Sequence, residues 1–266
     1  MKYIKMFNEN INSSEIEAIC EKFNIKNYII NEDGSIDVDG DVNLNRKKLK
    51  ELPLKFRKVS GNFSCYDNQL TSLMGCPQSI GGDFECSFNK LTSLKGSPQT
   101  VGGDFSCRDN KLTSLVGAPQ SIDGNFDCRG NQLTTLEGAP QRVGGFFDCS
   151  GNQLTTLEGA PQRVGGIFWC GNNKLKNIDY LSKYYKELSI SYNPIAKIIK
   201  LFTTSNEYGL IFNRENKDLI MDFIDREIIQ QDKLLANRLV EFLYDIDKPK
   251  TREELIELLK NDYEIR

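Results

Sequence analysis

The sequence predicts an α+β protein, a parallel β solenoid of about eight rungs with an N-terminal α/β cap and a C-terminal helical cap. The first observation is a 21-residue unit that recurs through the middle of the chain without a slip in register, a period typical of solenoids. The second is the alternation of Phe and Cys in each unit, which indicates the inward face of a short strand. The third is that the flanking segments lack this unit and show helical periodicity in places.

Residues 1–35 precede the repeats and form the predicted N-terminal α/β cap. Apolar residues at helical spacing predict a helix from about Ser14 to Phe23, opened by a capping box of Ser14 with Glu17. Residues 27–31 have the composition of a strand. The Asp-Gly pair that follows is a hairpin turn signal, so we expect a return strand that leads into the repeats.

The predicted solenoid spans residues 36–203, with a degenerate first copy from Val38 and a last copy over 188–195. Each regular copy reads [Val/Ile]-x-Gly-x-Phe-x-Cys-x-x-Asn-x-Leu-Thr-x-Leu-x-Gly-x-Pro-Gln-x. We expect Phe, Cys and both Leu to point inward, and the Asn amide to bond the backbone of its own turn and of the neighbouring rung. The Gly before Phe favours a bulge or a sharp corner, and Gly-x-Pro-Gln predicts an extended return without a helix.

Residues 204–266 lack the Gly-Pro punctuation and form the predicted C-terminal helical cap. Two apolar faces at helical spacing lie at 219–228 and 234–243, and a third helix opens with a capping box of Thr251 with Glu254. We expect these three helices to pack on the last rung, whose strand edge would otherwise be unpaired.

The 266-residue chain carries a net charge of −3 and no histidine. Histidine is the usual general base near neutral pH and the commonest metal ligand, so its absence weighs against hydrolase chemistry. No apolar run approaches the length of a membrane span. The first residues lack an apolar core and a cleavage site, so we expect no signal peptide and a cytoplasmic location.

The Phe-x-Cys-x-x-Asn-x-Leu-x-x-Leu pattern resembles the core of the leucine-rich repeat, with Phe and Cys at its first two leucine positions. The Val-Gly-Gly-Asp-Phe-Ser-Cys segment at 101–107 and the lead-in segments at 33–42 and 52–56 resemble proteins encoded by large tailed bacteriophages and some bacteria. The resemblance covers roughly residues 30–200. It implies a recognition scaffold and, in a phage, a factor that acts on a host protein. Ubiquitin-ligase effectors with such repeats need a catalytic Cys in a much larger domain, and residues 204–266 contain none.

The cysteines of the repeat form a ladder in register. They are Cys65, Cys86, Cys107, Cys128, Cys149 and Cys170. Adjacent rungs lie about 4.8 Å apart, a spacing that would allow disulfides or a soft-metal stack. An inward Cys beside Phe behaves as a small hydrophobe, and the end copies place Leu44 and Ile190 at the same position. We therefore interpret the ladder as core and expect no metal, calcium included, and no cofactor.

The outward strand positions vary between copies and carry the candidate partner-binding residues. We assign three outward columns: the residue before Phe, the residue between Phe and Cys, and the residue after Cys. The candidates are Tyr66, Arg108, Asp127, Arg129, Phe146, Asp148, Ile167 and Trp169. Aromatic residues beside Arg and a charged rim are typical of an interaction hot spot. Phe88 is a second candidate for an exposed aromatic residue, and a cap of C-terminal helices over Trp169 is the alternative interpretation of the patch.

We expect a non-enzymatic module that recognises a protein partner through the concave face of its sheet. A virion or structural interaction protein is the alternative. An enzyme would need a pocket with perturbed acids, for example Asp127 with Asp148. A nucleic-acid binder would need a basic stripe. Arg108 with Arg129, or the edge pair Arg142 with Arg163, are too few unless the basic residues from 46 to 58 join them. We interpret the basic run at 46–50 within that range as a solvated edge. We therefore expect neither nucleic acid nor a membrane as the partner.

Overall fold

The N-terminal helix begins one residue earlier than the sequence predicts. The computed structural model describes residues 12–181, 185–201, 203, 211–212, 217–230 and 233–266. Helix α1 (Ser13–Phe23) has Asn12 as its N-cap. The Asn12 side chain accepts the backbone N–H of Glu15 at 3.0 Å, and the Glu15 carboxylate accepts the N–H of Asn12 at 3.3 Å. The predicted capping box of Ser14 with Glu17 is therefore wrong, because Asn caps a helix as well as Ser does and Ser14 already lies inside it.

A hairpin follows α1 and closes one end of the solenoid. Strands β1 (Tyr28–Ile30) and β2 (Ile36–Val38) pair antiparallel, with Tyr28 opposite Val38. The Asp33 carboxylate accepts the backbone N–H of Ser35 at 3.0 Å and so fixes the predicted turn. On its other side β2 pairs in parallel with the strand at Phe56–Val59, so the hairpin is continuous with the repeats.

The chain then alternates between two rows of short strands. These are β3 (Val42–Asn43), β4 (Phe56–Val59), β5 (Phe63–Ser64), β6 (Ser79–Ile80), β7 (Phe84–Glu85), β8 (Thr100–Val101), β9 (Phe105–Ser106), β10 (Ser121–Ile122), β11 (Phe126–Asp127), β12 (Arg142–Val143), β13 (Phe147–Asp148), β14 (Arg163–Val164), β15 (Ile167–Trp169) and β16 (Glu187–Ser189). Among the described residues, the odd-numbered strands from β3 to β15, followed by β16, form one parallel row of eight, the first sheet. Eight strands enclose seven complete turns, and the predicted parallel solenoid is confirmed.

The return segments form a second sheet, where the sequence predicts only extended chain. Strands β2, β4, β6 and β8 pair in one block and β10, β12 and β14 in another. Ser79 lies opposite Thr100 and Ile80 opposite Val101. The Pro of each copy comes just before this strand, where its missing N–H breaks no ladder bond. The Val or Ile of each second-sheet strand is buried, as is the Phe of each first-sheet strand from β5 to β15, so the core lies between the two sheets.

The core is built from stacked columns of identical side chains. The buried phenylalanines from Phe63 to Phe168 stack along the solenoid, with successive ring centroids 5.0 to 6.1 Å apart. All eight cysteines are unpaired and buried, the ladder among them. Burial raises the pKa of each ladder thiol. The ladder thus consists of neutral core residues, as the alternation predicts.

The Asn of each copy bonds two rungs together. Asn110 accepts the backbone N–H of Leu91 at 3.0 Å and donates its amide to the carbonyls of Cys86 and Cys107, each at 3.1 Å. The same pattern extends from Asn68 to Asn193. These bonds satisfy backbone groups that the short strands leave unpaired. The predicted asparagine ladder is confirmed.

A second ladder occupies the corner before each first-sheet strand. The Asp83 carboxylate accepts the backbone N–H of Asp104 at 2.8 Å, and the Asp104 carboxylate accepts that of Asn125 at 2.7 Å. A Cβ atom at Gly103 would lie 2.0 Å from Asp83 Oδ1, so this corner requires glycine. The column before Phe, which the sequence predicts to be a free outward column, therefore belongs to the scaffold as far as Asn125.

The C-terminal region combines helices with very short strands. Its elements are α2 (Pro194–Ile199), β17 (Ile211–Phe212), α3 (Lys217–Asp225), β18 (Ile229–Gln230), β19 (Lys233–Leu234), α4 (Ala236–Asp245), α5 (Arg252–Leu259) and β20 (Glu264–Ile265). Helices α3 to α5 match the three predicted helices, and Thr251 with Glu254 forms the predicted capping box. The predicted helix faces include Ile228 and Leu234, but Ile228 follows α3 and Leu234 lies in β19. The strands among these helices were not predicted, because a two-residue strand is too short to show the alternation of apolar and polar residues by which strands are recognised in a sequence.

These elements close the far end of the first sheet. Strand β17 pairs antiparallel with β16. The Tyr263 hydroxyl donates to the carbonyl of Lys176 at 2.8 Å, and Lys197 forms an ion pair with Asp262. The predicted boundary between residues 203 and 204 borders residues 204–210, which lie outside the described residues. No helix in the described part of the chain is long and apolar enough to cross a membrane.

Candidate functional site

The outer face of the first sheet presents the residues that flank each inward Cys. Because side chains alternate along a strand, Phe and Cys fill the core while the residue between them faces outward. The residue after Cys lies where the strand ends and the turn begins. The structure groups the candidate residues on this face into three clusters.

The apolar patch consists of Phe146, Ile167 and Trp169. All three side chains are half-buried. The rings of Phe146 and Trp169 lie 4.9 Å apart at an interplanar angle of 55°. The backbone N–H of Phe146 is held by Asn125 Oδ1 at 2.9 Å, the last bond of the corner ladder. The patch therefore begins at the rung where the residue before the inward Phe changes from a polar residue, Asn125, to an apolar one, Phe146.

A charge cluster of Asp127, Arg129 and Asp148 lies on the rungs of β11 and β13, and the β13 rung also carries Phe146 of the patch. Arg129 Nε is 3.3 Å from Asp127 Oδ2, and Arg129 Nη1 is 3.4 Å from Asp148 Oδ2. Each carboxylate also accepts a backbone N–H two residues on, from Arg129 at 3.2 Å and from Ser150 at 2.9 Å. Both carboxylates are buried, while Arg129 is exposed. Burial raises the pKa of Asp127 to about 6, and the charge of Asp148 adds to this rise.

The third cluster, the basic-aromatic strip, consists of Arg46, Tyr66, Phe88 and Arg108 on four consecutive rungs. The Arg46 guanidinium lies over the Tyr66 ring at 5.6 Å, and the Arg108 guanidinium lies over the Phe88 ring at 5.1 Å. The two rings meet edge to face with centroids 5.3 Å apart. Cation–π contacts of this kind hold the two guanidinium groups in place on the surface.

Phe88 occupies a backbone position that disfavours aromatic residues. The residue two positions after the inward Cys, or after the residue that replaces it, takes a left-handed conformation on successive rungs. The φ values are 56° for Arg46, 53° for Asp67, 55° for Phe88, 53° for Asp109, 66° for Gly130, 66° for Gly151, 52° for Asn172 and 57° for Tyr192. Gly, Asn and Asp tolerate this conformation best, and a bulky residue there is uncommon. The Phe88 side chain is nevertheless 40% exposed.

The structure places all eight predicted residues on this face but divides them among the clusters. Phe146, Ile167 and Trp169 form the patch, Asp127, Arg129 and Asp148 form the charge cluster, and Tyr66 and Arg108 belong to the strip.

Sequence reasoning missed Arg46 as a site residue, because its basic neighbours indicate a solvated edge. The available signal was the turn position itself. Five of the eight copies hold Asp, Gly or Asn there, and Arg46 and Phe88 depart from that pattern within the first three copies.

The fold and this surface define the chain as a repeat solenoid in which the outer face of the first sheet carries the three clusters. Comparison of the chain with protein-family models, with curated proteins and with solved structures finds no match. The chemistry of the three clusters is therefore the basis for assigning a function.

Proposed function

We propose that this chain is a non-enzymatic recognition protein that binds a partner protein through the outer face of the first sheet. The apolar patch of Phe146, Ile167 and Trp169 is the proposed anchor. A rigid parallel sheet stacked on a repetitive core gives a large binding surface whose side chains can change without disturbing the fold.

The observation that carries this proposal is a comparison of neighbouring copies. Residues 126–145 and 147–166 differ at one position only, where Arg129 is matched by Ser150. By contrast, residues 146–151 and 167–172 differ at four of six positions. The pairs that differ are Phe146 and Ile167, Asp148 and Trp169, Ser150 and Gly171, and Gly151 and Asn172. The two unchanged positions are the inward Phe and Cys.

The first-sheet differences fall on outward positions, while the inward Phe and Cys are kept. The same two copies also differ along the return segment, for example Gln153 against Lys174 and Thr155 against Lys176. The kind of change on the first sheet is what favours recognition: Asp148 is replaced by Trp169, which stays partly exposed beside Phe146. On the second sheet, Arg142 and Arg163 are identical and exposed.

The composition of the patch also favours protein recognition. Aromatic residues flanked by an Arg and a charged rim dominate the energetics of protein interfaces. Trp169 is the only Trp of the chain, and its ring packs on Phe146 rather than in the core. The pair therefore offers a preorganised apolar surface with little side-chain entropy left to lose.

We further propose that the protein acts in the cytoplasm, as a phage or bacterial factor directed at a host protein. The resemblance of the repeat to leucine-rich repeats of tailed phages supports this origin. Eight unpaired, buried thiols suit a reducing compartment.

Capture of a partner from a bacterial host lysate tests the proposal. The double variant Phe146→Ala with Trp169→Ala should keep its fold and lose about hundredfold in affinity, since two anchor residues at about 1–2 kcal/mol each give that factor. Quantitative mass spectrometry of the captured proteins measures the loss.

The matched control removes two exposed side chains from the opposite face. Arg142→Ala with Arg163→Ala should capture the partner as well as the parent protein does. Unchanged capture by the Phe146 and Trp169 variant, with its circular dichroism spectrum intact, would show that the patch is not the binding site.

A further inference from the structure

The basic-aromatic strip holds two arginines at fixed positions on the same surface. Arg46 and Arg108 are held by the rings of Tyr66 and Phe88, which contact each other. A guanidinium stacked on a ring keeps its N–H edge for a carboxylate, and its fixed position lowers the entropy lost on binding. The strip is thus preorganised for anionic groups.

Phe88 gives a second, independent reason to assign a function to the strip. Its φ of 55° is an unfavourable conformation for a bulky residue. The adjacent rungs place Asp67 and Asp109 at the same position, so the turn itself does not require an aromatic residue. Backbone positions held against a residue's preference cluster at functional sites. Tyr192 is the other aromatic residue at this turn position, on the last rung.

The surroundings of the strip are basic although the whole chain is acidic. Exposed cations beside it are Lys47, Lys48, Lys50, Lys90 and Lys111. The acidic groups nearby are Asp67, Asp109, Glu85 and Asp127, and Asp127 interacts with both Arg108 and Arg129. Asp67 lies 3.4 Å from Arg46 Nε, and Glu85 accepts the backbone N–H of Ser87 at 2.8 Å. Screening limits electrostatic attraction to about 8 Å at physiological salt, so this local excess outweighs the net charge of the chain.

We propose that the strip binds an extended acidic segment of the partner protein, with two acidic residues four positions apart and an apolar residue midway between them. Arg46 and Arg108 are three rungs apart, about 14 Å at a strand spacing of about 4.8 Å. An extended chain advances about 3.4 Å per residue, so four residues cover this distance and place both acidic side chains on one side. The midway residue then lies between the two arginines, beside the rings of Tyr66 and Phe88.

Nucleic acid is the other polyanion that a basic strip with aromatic rings could bind, and the ring contacts disfavour it. Single-stranded nucleic acid binds by stacking its bases on free aromatic faces. Here a guanidinium lies over each ring, and the edge of one ring meets the face of the other. Carboxylates need only the guanidinium edges, which favours a peptide.

Fluorescence anisotropy with three labelled probes tests the proposal. The matched peptide contains Glu-Gly-Phe-Gly-Glu, the scrambled peptide contains Glu-Glu-Phe-Gly-Gly, and the third probe is an oligothymidylate. The matched peptide should bind about tenfold more tightly than the scrambled one, because only it reaches both arginines with charge-assisted bonds. Its affinity should fall as salt is raised.

Three variants make the outcome decisive. Arg46→Gln with Arg108→Gln should weaken binding of the matched peptide about tenfold, whereas Arg142→Gln with Arg163→Gln, the same charge change on the second sheet, should leave it unchanged. Phe88→Asn suits the left-handed turn and should unfold at the same or a higher urea concentration while binding the peptide more weakly. That variant separates a binding role from a structural one.

The proposal is overturned if the scrambled peptide binds as tightly as the matched one, if the strip variants bind unchanged, or if the oligothymidylate binds more tightly than either peptide. It rests on the proposed function, since it names the chemistry of one part of the partner. The two proposals can fail separately. If the Phe146 and Trp169 variant loses capture, the recognition function stands. If no peptide then binds selectively, only the acidic-segment proposal is removed.

Discussion

Removing one amide from the asparagine ladder should destabilise the solenoid more than its single side chain suggests. In Asn110→Ala, the buried N–H of Leu91 loses its acceptor and the carbonyls of Cys86 and Cys107 each lose a donor. An unsatisfied buried donor costs about 1–3 kcal/mol, and each lost carbonyl bond costs about 1 kcal/mol. We expect the free energy of unfolding to fall by about 3–5 kcal/mol.

Urea unfolding followed by Trp169 fluorescence measures this loss, since Trp169 is the only Trp and lies on the same sheet. The exposed neighbour Lys111→Ala is the control and should change stability by less than about 0.5 kcal/mol. A lower urea dependence in the Asn110 variant would mean that the rungs on either side of it unfold separately, as nearest-neighbour coupling allows.

The result that would refute this reasoning is a loss below about 1 kcal/mol with an unchanged urea dependence. The carbonyls of Cys86 and Cys107 keep the amides of Asn89 and Asn131 as donors. The N–H of Leu91 would then have to be satisfied without the Asn110 amide, and the ladder would not be the element that joins the rungs.

Two further predictions concern the face of the first sheet. Burial raises the pKa of Asp127 to about 6, above its unfolded value of about 4, so the folded protein binds more protons in this window and loses stability as pH rises from about 4 to 6. The variant Asp127→Asn lacks this titration. Between about pH 4 and pH 7, the free energy of unfolding of the variant minus that of the parent should rise by on the order of 1–2 kcal/mol, measured by urea titration at each pH. An equal pH dependence of the two proteins would contradict the raised pKa of Asp127. Phe146→Asn supplies an acceptor for the next rung and should raise the urea midpoint while weakening capture of the partner, whereas Phe146→Ala should lower both.

Much of the fold follows from the sequence because the scaffold is repetitive. Each inward column has one residue type, so burial, register and the role of the asparagine could all be predicted from the unit. The second sheet was not predicted, because its strands are two residues long in most copies and carry no alternation of their own. The same limit applies to β18, β19 and β20 in the C-terminal region.

The candidate surface was predicted only in part, because spatial neighbours on it are about 21 residues apart in sequence. Trp169 and Phe146 stand out by composition, and aligning the copies brings them together. Arg46 and Tyr66 do not occupy equivalent positions of their copies: Arg46 is two residues after the inward Leu44, whereas Tyr66 directly follows the inward Cys65. Their contact therefore does not appear when the copies are aligned. Only the three-dimensional arrangement shows that this contact joins the basic N-terminal edge to Arg108.

The corner ladder explains why the apolar patch lies on the last rungs. As far as Asn125, the residue before Phe must offer an oxygen to the next rung, so it cannot be adapted to a partner. Phe146 has no side-chain acceptor, and at the next rung the strand itself lengthens: β15 begins at Ile167, which pairs with Glu187 of β16. The ladder therefore ends at the N–H of Phe146, and beyond it the position before Phe is free to carry apolar residues. The same step that ends the ladder creates the surface that we assign to recognition.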